Sequence, residues 1–178
     1  MSGQIAIVEA VCLSTPGARV AKAPVDEAFL GPYGFAGDRH EAELTRLKSG
    51  RVVPNKRQWS AVATEEVAAL CREIGVPAFA PGALGENLRL SGIRLADVPR
   101  GAVLEFASGA RLEVSGQNDP CLNAAVELAA AYGPAVRRYF IEKAFGRRGV
   151  VGRVLEIGLV RTGDAVRLLL PQATLPRD

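Results

Sequence analysis

The chain has 178 residues, of which 48% are hydrophobic and 23% are charged, and its formal net charge is +3. This balance excludes an intrinsically disordered chain, which would contain far fewer apolar residues. The mild positive charge suits a pocket for a phosphorylated ligand, but it does not amount to the clustered basic surface of a nucleic-acid-binding protein.

Sequence features also bear on the compartment. No stretch of about 18 apolar residues is present, so we predict no membrane span. The first residues lack the basic region and apolar core of a signal peptide. The three cysteines are odd in number and widely spaced, which argues against a disulfide scaffold. We therefore expect a cytoplasmic protein.

Hydrophobic periodicity and turn residues predict mostly short strands with a few helices. In chain order these are a strand over 4–13, a glycine-rich segment over 30–37, a charged surface loop over 39–57 with a short helix near 41–47, a strand over 59–63, a helix over 64–74, a hairpin over 102–115, helices over 122–132 and 134–144, and closing strands over 150–160 and 165–170.

This element order favours a mainly β fold with added helices (α+β), built as a closed or nearly closed β-barrel. The length fits a single domain, which we assign to residues 1–171. Residues 172–178 are predicted to form a C-terminal tail.

Cys121 is the residue that points most directly to chemistry. It directly precedes a predicted helix, where unpaired backbone N–H groups and the helix dipole favour a thiolate. A thiolate can attack an electrophile, carry sulfur as a persulfide or bind a metal. An inert buried cysteine is the alternative. Cys12, in an apolar strand, and Cys71, on an apolar helix face, are predicted to be structural.

The run Asp38-Arg39-His40 follows two glycines and is predicted to deliver polar side chains to one place. Arg39 is a candidate bidentate ligand for phosphate or carboxylate, and a surface ion pair is the alternative. His40 is the only histidine, which excludes a multi-histidine metal site.

Two further segments are candidate ligand sites. Glu86 and Asn87 follow a double-glycine turn and could anchor a heterocycle, although on spacing alone a glycine turn with a capping asparagine is the better explanation. Arg147 and Arg148 lie between glycines and could bind an anion or complement the end of a helix.

Five blocks in this order resemble the MOSC family, the molybdenum-cofactor sulfurase C-terminal type. The blocks are Gly37-Asp38-Arg39-His40, Arg57-Gln58, Gly85-Glu86-Asn87-Leu88, Pro120-Cys121, and Gly149-Val150 with the run from Val154 to Asp164.

The resemblance implies a barrel of the pyruvate-kinase barrel-like kind that binds molybdenum cofactor (molybdopterin) or sulfur. The invariant cysteine of the family falls on Cys121, as a molybdenum ligand or a persulfide carrier. Many relatives carry an arginine before the Pro-Cys pair, where this chain has Gln117-Asn118-Asp119, so Arg147 or Arg148 is expected to contact the phosphate. The cofactor-binding set is then Asp38, Arg39, His40, Arg57, Glu86, Asn87, Arg147 and Arg148.

The resemblance also suggests partners. Pyridoxal phosphate is expected only on a partner, a cysteine desulfurase that supplies sulfur. Some relatives belong to molybdenum enzymes that reduce N-hydroxylated compounds, a reaction for which this chain would need an electron-donor protein.

Two other classes of function remain open. A hydrolase or acyl transferase would use Cys121 and His40, oriented by Asp38 or Asp119. A non-catalytic binding barrel is the other alternative. Nucleic acid is not expected as a partner, because the ten aromatic residues are scattered along the chain.

Overall fold

The computed structural model describes residues 4–171, and these form thirteen strands and three helices. The strands are β1 Ile5–Ser14, β2 Lys22–Val25, β3 Glu27–Gly31, β4 Gly34–Phe35, β5 Leu44–Arg46, β6 Val52–Pro54, β7 Trp59–Ala63, β8 Leu88–Ser91, β9 Val103–Phe106, β10 Arg111–Gln117, β11 Val150–Glu156, β12 Gly158–Arg161 and β13 Ala165–Leu169. The helices are α1 Thr64–Ile74, α2 Leu122–Tyr132 and α3 Pro134–Ala144.

Seven strands close into a barrel in the order β1-β13-β9-β10-β11-β7-β8. The ring closes because β1 pairs with β8 on one side and with β13 on the other. All neighbours in the ring are antiparallel except β7 and β8. The predicted mainly β barrel with added helices is therefore confirmed.

The barrel interior is the larger of two apolar cores. Along β1, Ala6, Val8 and Ala10 are buried while the residues between them are exposed, the alternation expected of a strand with one face inside. Trp59 on β7 is fully buried, and its indole N–H donates to the Arg153 carbonyl at 3.0 Å.

The three helices cover the second core on the outside of the barrel. Its members come from all three helices and from the chain around them, and include Val62, Leu70, Phe79, Leu128 and Phe140. This layer fixes where α2 begins, directly after Cys121. Across residues 4–171, no helix is long and apolar enough to cross a bilayer.

The loop prediction over 39–57 needs one correction. Residues 44–54 form the β5–β6 hairpin and not a short helix near 41–47. Gly50, with φ +84°, makes the turn, and the Leu47 N–H bonds to the Arg51 carbonyl at 2.9 Å. A left-handed glycine so close to the segment favours a hairpin over continued helix. The predicted tail over 172–178 lies outside the described residues.

Candidate functional site

Cys121 is the N-cap of α2. Its backbone is extended (φ −130°, ψ 157°), and the helix starts at the next residue. The thiol is exposed, whereas those of Cys12 and Cys71 are buried. Burial raises the pKa of Cys12 to about 12 and raises that of Cys71 as well. Cys121 is therefore the cysteine available for chemistry at neutral pH.

The Cys121 thiol opens onto a cleft of about 230 Å³. The residues that line it include one thiol, one imidazole and four guanidinium groups, and no carboxylate: Cys121, His40, Arg19, Arg39, Arg57 and Arg148. A cleft whose charged walls are all basic attracts anions. We call it the Cys121 cleft.

Asn118 holds two of these arginines together. Its buried Oδ1 accepts from Arg57 Nη2 at 2.7 Å and from Arg148 Nη1 at 3.1 Å. Arg148 also donates to the carbonyls of Asp119 and Leu84, at 2.8 Å and 3.0 Å. These bonds anchor the loop that presents Cys121.

Arg148 is a buried charge beside the thiol. Burial lowers the pKa of its guanidinium, and the neighbouring Cys121 is the strongest opposing influence. Among the described residues its Nε has no hydrogen-bond partner. A buried donor without a partner is costly.

Arg39 lines the cleft but has no donor to spare. Its Nε donates to Ser14 Oγ at 2.9 Å, and its two terminal nitrogens donate to the carbonyls of residues 18–21. These five bonds use all five N–H donors of a guanidinium. The predicted phosphate contact would find no free N–H donor on Arg39, which holds the loop that carries Arg19 and contributes its charge to the cleft.

Asp38 lies behind the cleft wall, in a buried pair with Lys22. Its Oδ1 lies 2.9 Å from Lys22 Nζ and 3.2 Å from His40 Nδ1, and both acidic and ammonium side chains are 0% exposed. Burial on its own would raise the pKa of Asp38, but the hydrogen bonds from His40 and the charge of Lys22 hold it far below its usual range. Asp38 thus orients His40 and does not face a ligand directly.

His40 is 44% exposed and shares the cleft with Cys121. Its Nδ1 also lies 3.3 Å from Lys22 Nζ. Within residues 4–171, the structure gives no hydrogen bond between the imidazole and the thiol. Asp119 contacts Arg148 through its carbonyl, so Asp38 is the carboxylate that orients the imidazole.

Glu86 and Asn87 serve the fold. The Glu86 carboxylate accepts from the N–H groups of Gly82 and Leu84 and from Arg89. Asn87, fully buried, accepts from the Ser60 N–H and donates to the Cys12 carbonyl, tying β7 to β1. Their polar groups are bonded inside the protein, and the predicted contacts to a heterocycle would have to replace these bonds.

Arg147 points away from the cleft. Its guanidinium makes two bonds to Glu73 on α1, at 2.7 Å and 2.8 Å. Arg148, one residue on, turns inward and is buried. Of the two adjacent arginines, the structure brings only Arg148 to the cleft.

Three residues of the site were not singled out from the sequence. Asn118 is an uncharged residue that the sequence marks only by the arginine of many relatives near this position, yet its amide oxygen accepts from two arginines. Lys22 and Arg19 belong to no motif and reach the site only through the fold. Within residues 4–171, no group of three or more histidine, cysteine or acidic side chains is arranged to hold a metal ion.

Comparison with known proteins gives the family. The model of the MOSC domain matches residues 39–167. A curated protein of Bacillus subtilis strain 168, YuaD, whose provisional name refers to metal–sulfur cluster biosynthesis, is 33% identical over an alignment of 145 residues that covers 76% of this chain and 76% of the relative.

Solved structures agree. The crystal structure of YuaD from B. subtilis matches with a TM-score of 0.89 at 29% identity, covering 94% of this chain and 97% of that one. YiiM from Geobacillus stearothermophilus shares the fold, with a TM-score of 0.67 at 20% identity over 92% of this chain and 75% of that one. The chain therefore belongs to the MOSC domain family.

Proposed function

We propose that this protein binds or transfers sulfur for molybdenum-cofactor or metal–sulfur chemistry. The Sγ atom of Cys121 is the atom that carries the sulfur or ligates the metal. The observation that carries the proposal is an exposed thiol at the start of an 11-residue helix, in a cleft lined by four arginines and no carboxylate. Membership of the MOSC family and the name of the B. subtilis relative support the same reading.

As a sulfur carrier, Cys121 would act by thiol–persulfide exchange. Its thiolate attacks the terminal sulfur of a donor persulfide, the donor S–S bond breaks, and the donor cysteine leaves as a thiolate. Cys121 then holds a persulfide, and no outside oxidant is consumed. The charge of Arg57 and Arg148 would stabilise the anionic sulfur before and after transfer. The donor fits a pyridoxal-phosphate-dependent desulfurase.

The residues of the cleft also fit a molybdopterin-type cofactor. Thiolate is a soft ligand suited to molybdenum, and Arg57 and Arg148 offer guanidinium groups to a phosphate. When bound, the cofactor would supply a metal centre that changes oxidation state, with electrons from a donor protein.

Sulfur loading tests the proposal. The protein is incubated with a cysteine desulfurase and isotopically labelled cysteine, alkylated, and analysed by peptide mass spectrometry. We expect one labelled sulfur on Cys121 and none on Cys12 or Cys71, whose thiols are buried. Arg57→Gln should slow loading about tenfold, the worth of one charge-assisted hydrogen bond.

Arg147→Gln is the matched control, because that guanidinium binds Glu73 outside the cleft; its loading should equal that of wild type. Label spread over all three cysteines, or absent from Cys121, would contradict the carrier role. Protein co-expressed with cofactor synthesis is then analysed for molybdenum. If the Cys121→Ala variant retains as much molybdenum as wild type, the thiol is excluded as a metal ligand.

A further inference from the structure

A second cavity adjoins the Cys121 cleft. It has a volume of about 670 Å³ and lies beneath the β5–β6 hairpin, and we call it the hairpin groove. Arg39, His40 and Arg57 line both cavities, so these three residues form a rim that the two share. The volume falls within the range of small-molecule sites.

The wall that the hairpin contributes is aliphatic. Leu44 and Leu47 line the groove and remain 52% and 41% exposed, and Val53 and Pro54 extend the same surface. Strands β5 and β6 form a sheet of their own, separate from the barrel. Large apolar side chains that line a groove and stay half exposed favour an apolar ligand.

Apart from its cationic side chains, the groove offers few side-chain polar groups to a ligand. The Asn55 amide donates to the carbonyls of His40 and Ala42, at 3.0 Å and 3.1 Å, and accepts from the Arg57 N–H at 2.9 Å. Thr45 and His40 are the other polar residues of the lining without a permanent charge. A planar ring with many donors and acceptors would leave several of them unpaired here, which costs binding free energy.

The charge of the rim selects the sign of the ligand. Arg51, Lys56 and Arg57 lie in the lining, and no aspartate or glutamate does. Among the described residues, the structure gives Arg57 one side-chain bond, from Nη2 to Asn118, so its Nε and Nη1 remain free to donate. An anionic group placed at Arg57 would lie where the groove meets the Cys121 cleft.

We propose that the hairpin groove binds the aliphatic or aromatic body of a small anionic substrate, whose charged group lies at the shared rim beside Arg57. The identification of this molecule as the substrate acted on at Cys121 rests on the proposed function. The binding of such an anion in the hairpin groove does not depend on the proposed function. The groove is thereby assigned to a substrate with an apolar body, and not to a polar ring system such as a pterin.

Binding of two planar anions of similar size tests this assignment. 2-Naphthoate has an apolar ring system, and pterin-6-carboxylate has a polar one. We expect the purified protein to bind 2-naphthoate about tenfold more tightly by calorimetry, since the apolar ring is the better match to an aliphatic wall. Neutral 2-naphthol should bind more weakly than the naphthoate, and only the naphthoate should lose affinity with added salt.

Leu44→Ser and Leu47→Ser, made separately, should remove most of the preference for 2-naphthoate. Leu155→Ser is the matched control, because that leucine is 43% exposed but lies outside the groove. Equal binding of the two anions, or naphthoate affinity that survives both groove substitutions, would overturn the assignment. The sulfur-loading assay is a separate readout. If the wild-type protein binds 2-naphthoate but takes up no labelled sulfur on Cys121, the proposed function is refuted and the groove assignment stands.

Discussion

At the scale of single residues, the buried Lys22–Asp38 pair is the charged contact on which the site depends most. The two charges lie 2.9 Å apart with both side chains 0% exposed. Removing one member of such a pair leaves an uncompensated buried charge, which costs about 3–5 kcal/mol. We expect Asp38→Asn to lower the free energy of unfolding by this amount in urea titrations.

Glu27→Gln is the comparison, because Glu27 and Arg161 form an exposed pair. An exposed pair contributes only about 0–1 kcal/mol, so this variant should unfold close to wild type. Equal effects of the two substitutions would show that the Lys22–Asp38 pair is not the buried contact described above.

The low pKa of Asp38 also gives the pair a pH dependence. Below its unfolded-state pKa of about 3.9, the unfolded chain binds a proton at Asp38 that the native state does not. The stabilisation by Asp38 is therefore complete above that pH and is lost as the pH falls towards the lower native pKa. Acid titration of stability should be shallower in Asp38→Asn than in wild type.

Residue type and local spacing were enough to find Cys121, because an exposed helix N-terminus can be recognised from adjacent residues. They could not show which of Arg147 and Arg148 faces the cleft. They also could not show that every N–H donor of the Arg39 guanidinium is bonded to Ser14 or to the carbonyls of residues 18–21. Which way a guanidinium turns depends on partners distant in sequence, such as Glu73 and Leu84.

At the scale of elements, β11 lies between β10 and β7 in the barrel, with little room around Gly152. A Cβ on Gly152 would lie 1.9 Å from the Glu113 carbonyl oxygen and 2.5 Å from Trp59 Cζ2. Overpacking of this kind costs about 1–3 kcal/mol. Gly152→Ala should therefore lower the melting temperature and the urea midpoint.

Gly31→Ala is the matched control, since a Cβ there would make only ordinary contacts of 3.5 Å and 3.7 Å. It should unfold within about 0.5 kcal/mol of wild type, as a substitution without a clash does. A Gly152→Ala variant as stable as the control would mean that β11 can move to make room for the methyl group. We do not expect such a movement, because the buried Trp59 ring packs against Gly152.

Elements with a clear period were predictable from the sequence. The helices over 122–132 and 134–144 and the strand pair β9–β10 lie where their patterns place them. The short strands β2, β3, β4 and β8 were not predicted, because two to five residues carry too little periodicity. The β5–β6 hairpin was not predicted because the residues before Leu47 favour a helix. The turn at Gly50 favours the hairpin instead.

At the scale of the whole molecule, the fold sorts three thiols into one exposed and two buried. Native protein should react with one equivalent of iodoacetamide at neutral pH, on Cys121, because burial keeps Cys12 and Cys71 protonated and out of contact with the reagent. Three equivalents should react in denaturant. Rapid labelling of Cys12 or Cys71 in the native state, checked by peptide mapping, would contradict the described core.

Strand content was sufficient to predict a barrel, but closure and the cleft come from contacts between distant segments. Arg19, Arg57 and Arg148 meet Cys121 only after β1, β7 and β11 have taken their places in the ring. A single sequence read locally contains no signal for such a meeting.

The seam between β1 and β13 has a consequence for how the barrel is made. Ile5 pairs with Arg167, so the contact that closes the ring joins the two ends of the described chain. Contacts between such distant residues carry a high entropic cost and slow folding. Until β13 docks, β1 and β9 present unpaired edges that neighbouring chains can extend. When many chains are synthesised at once, aggregation is therefore favoured in the interval before β1 and β13 pair. Slower expression should raise the yield of correctly folded protein.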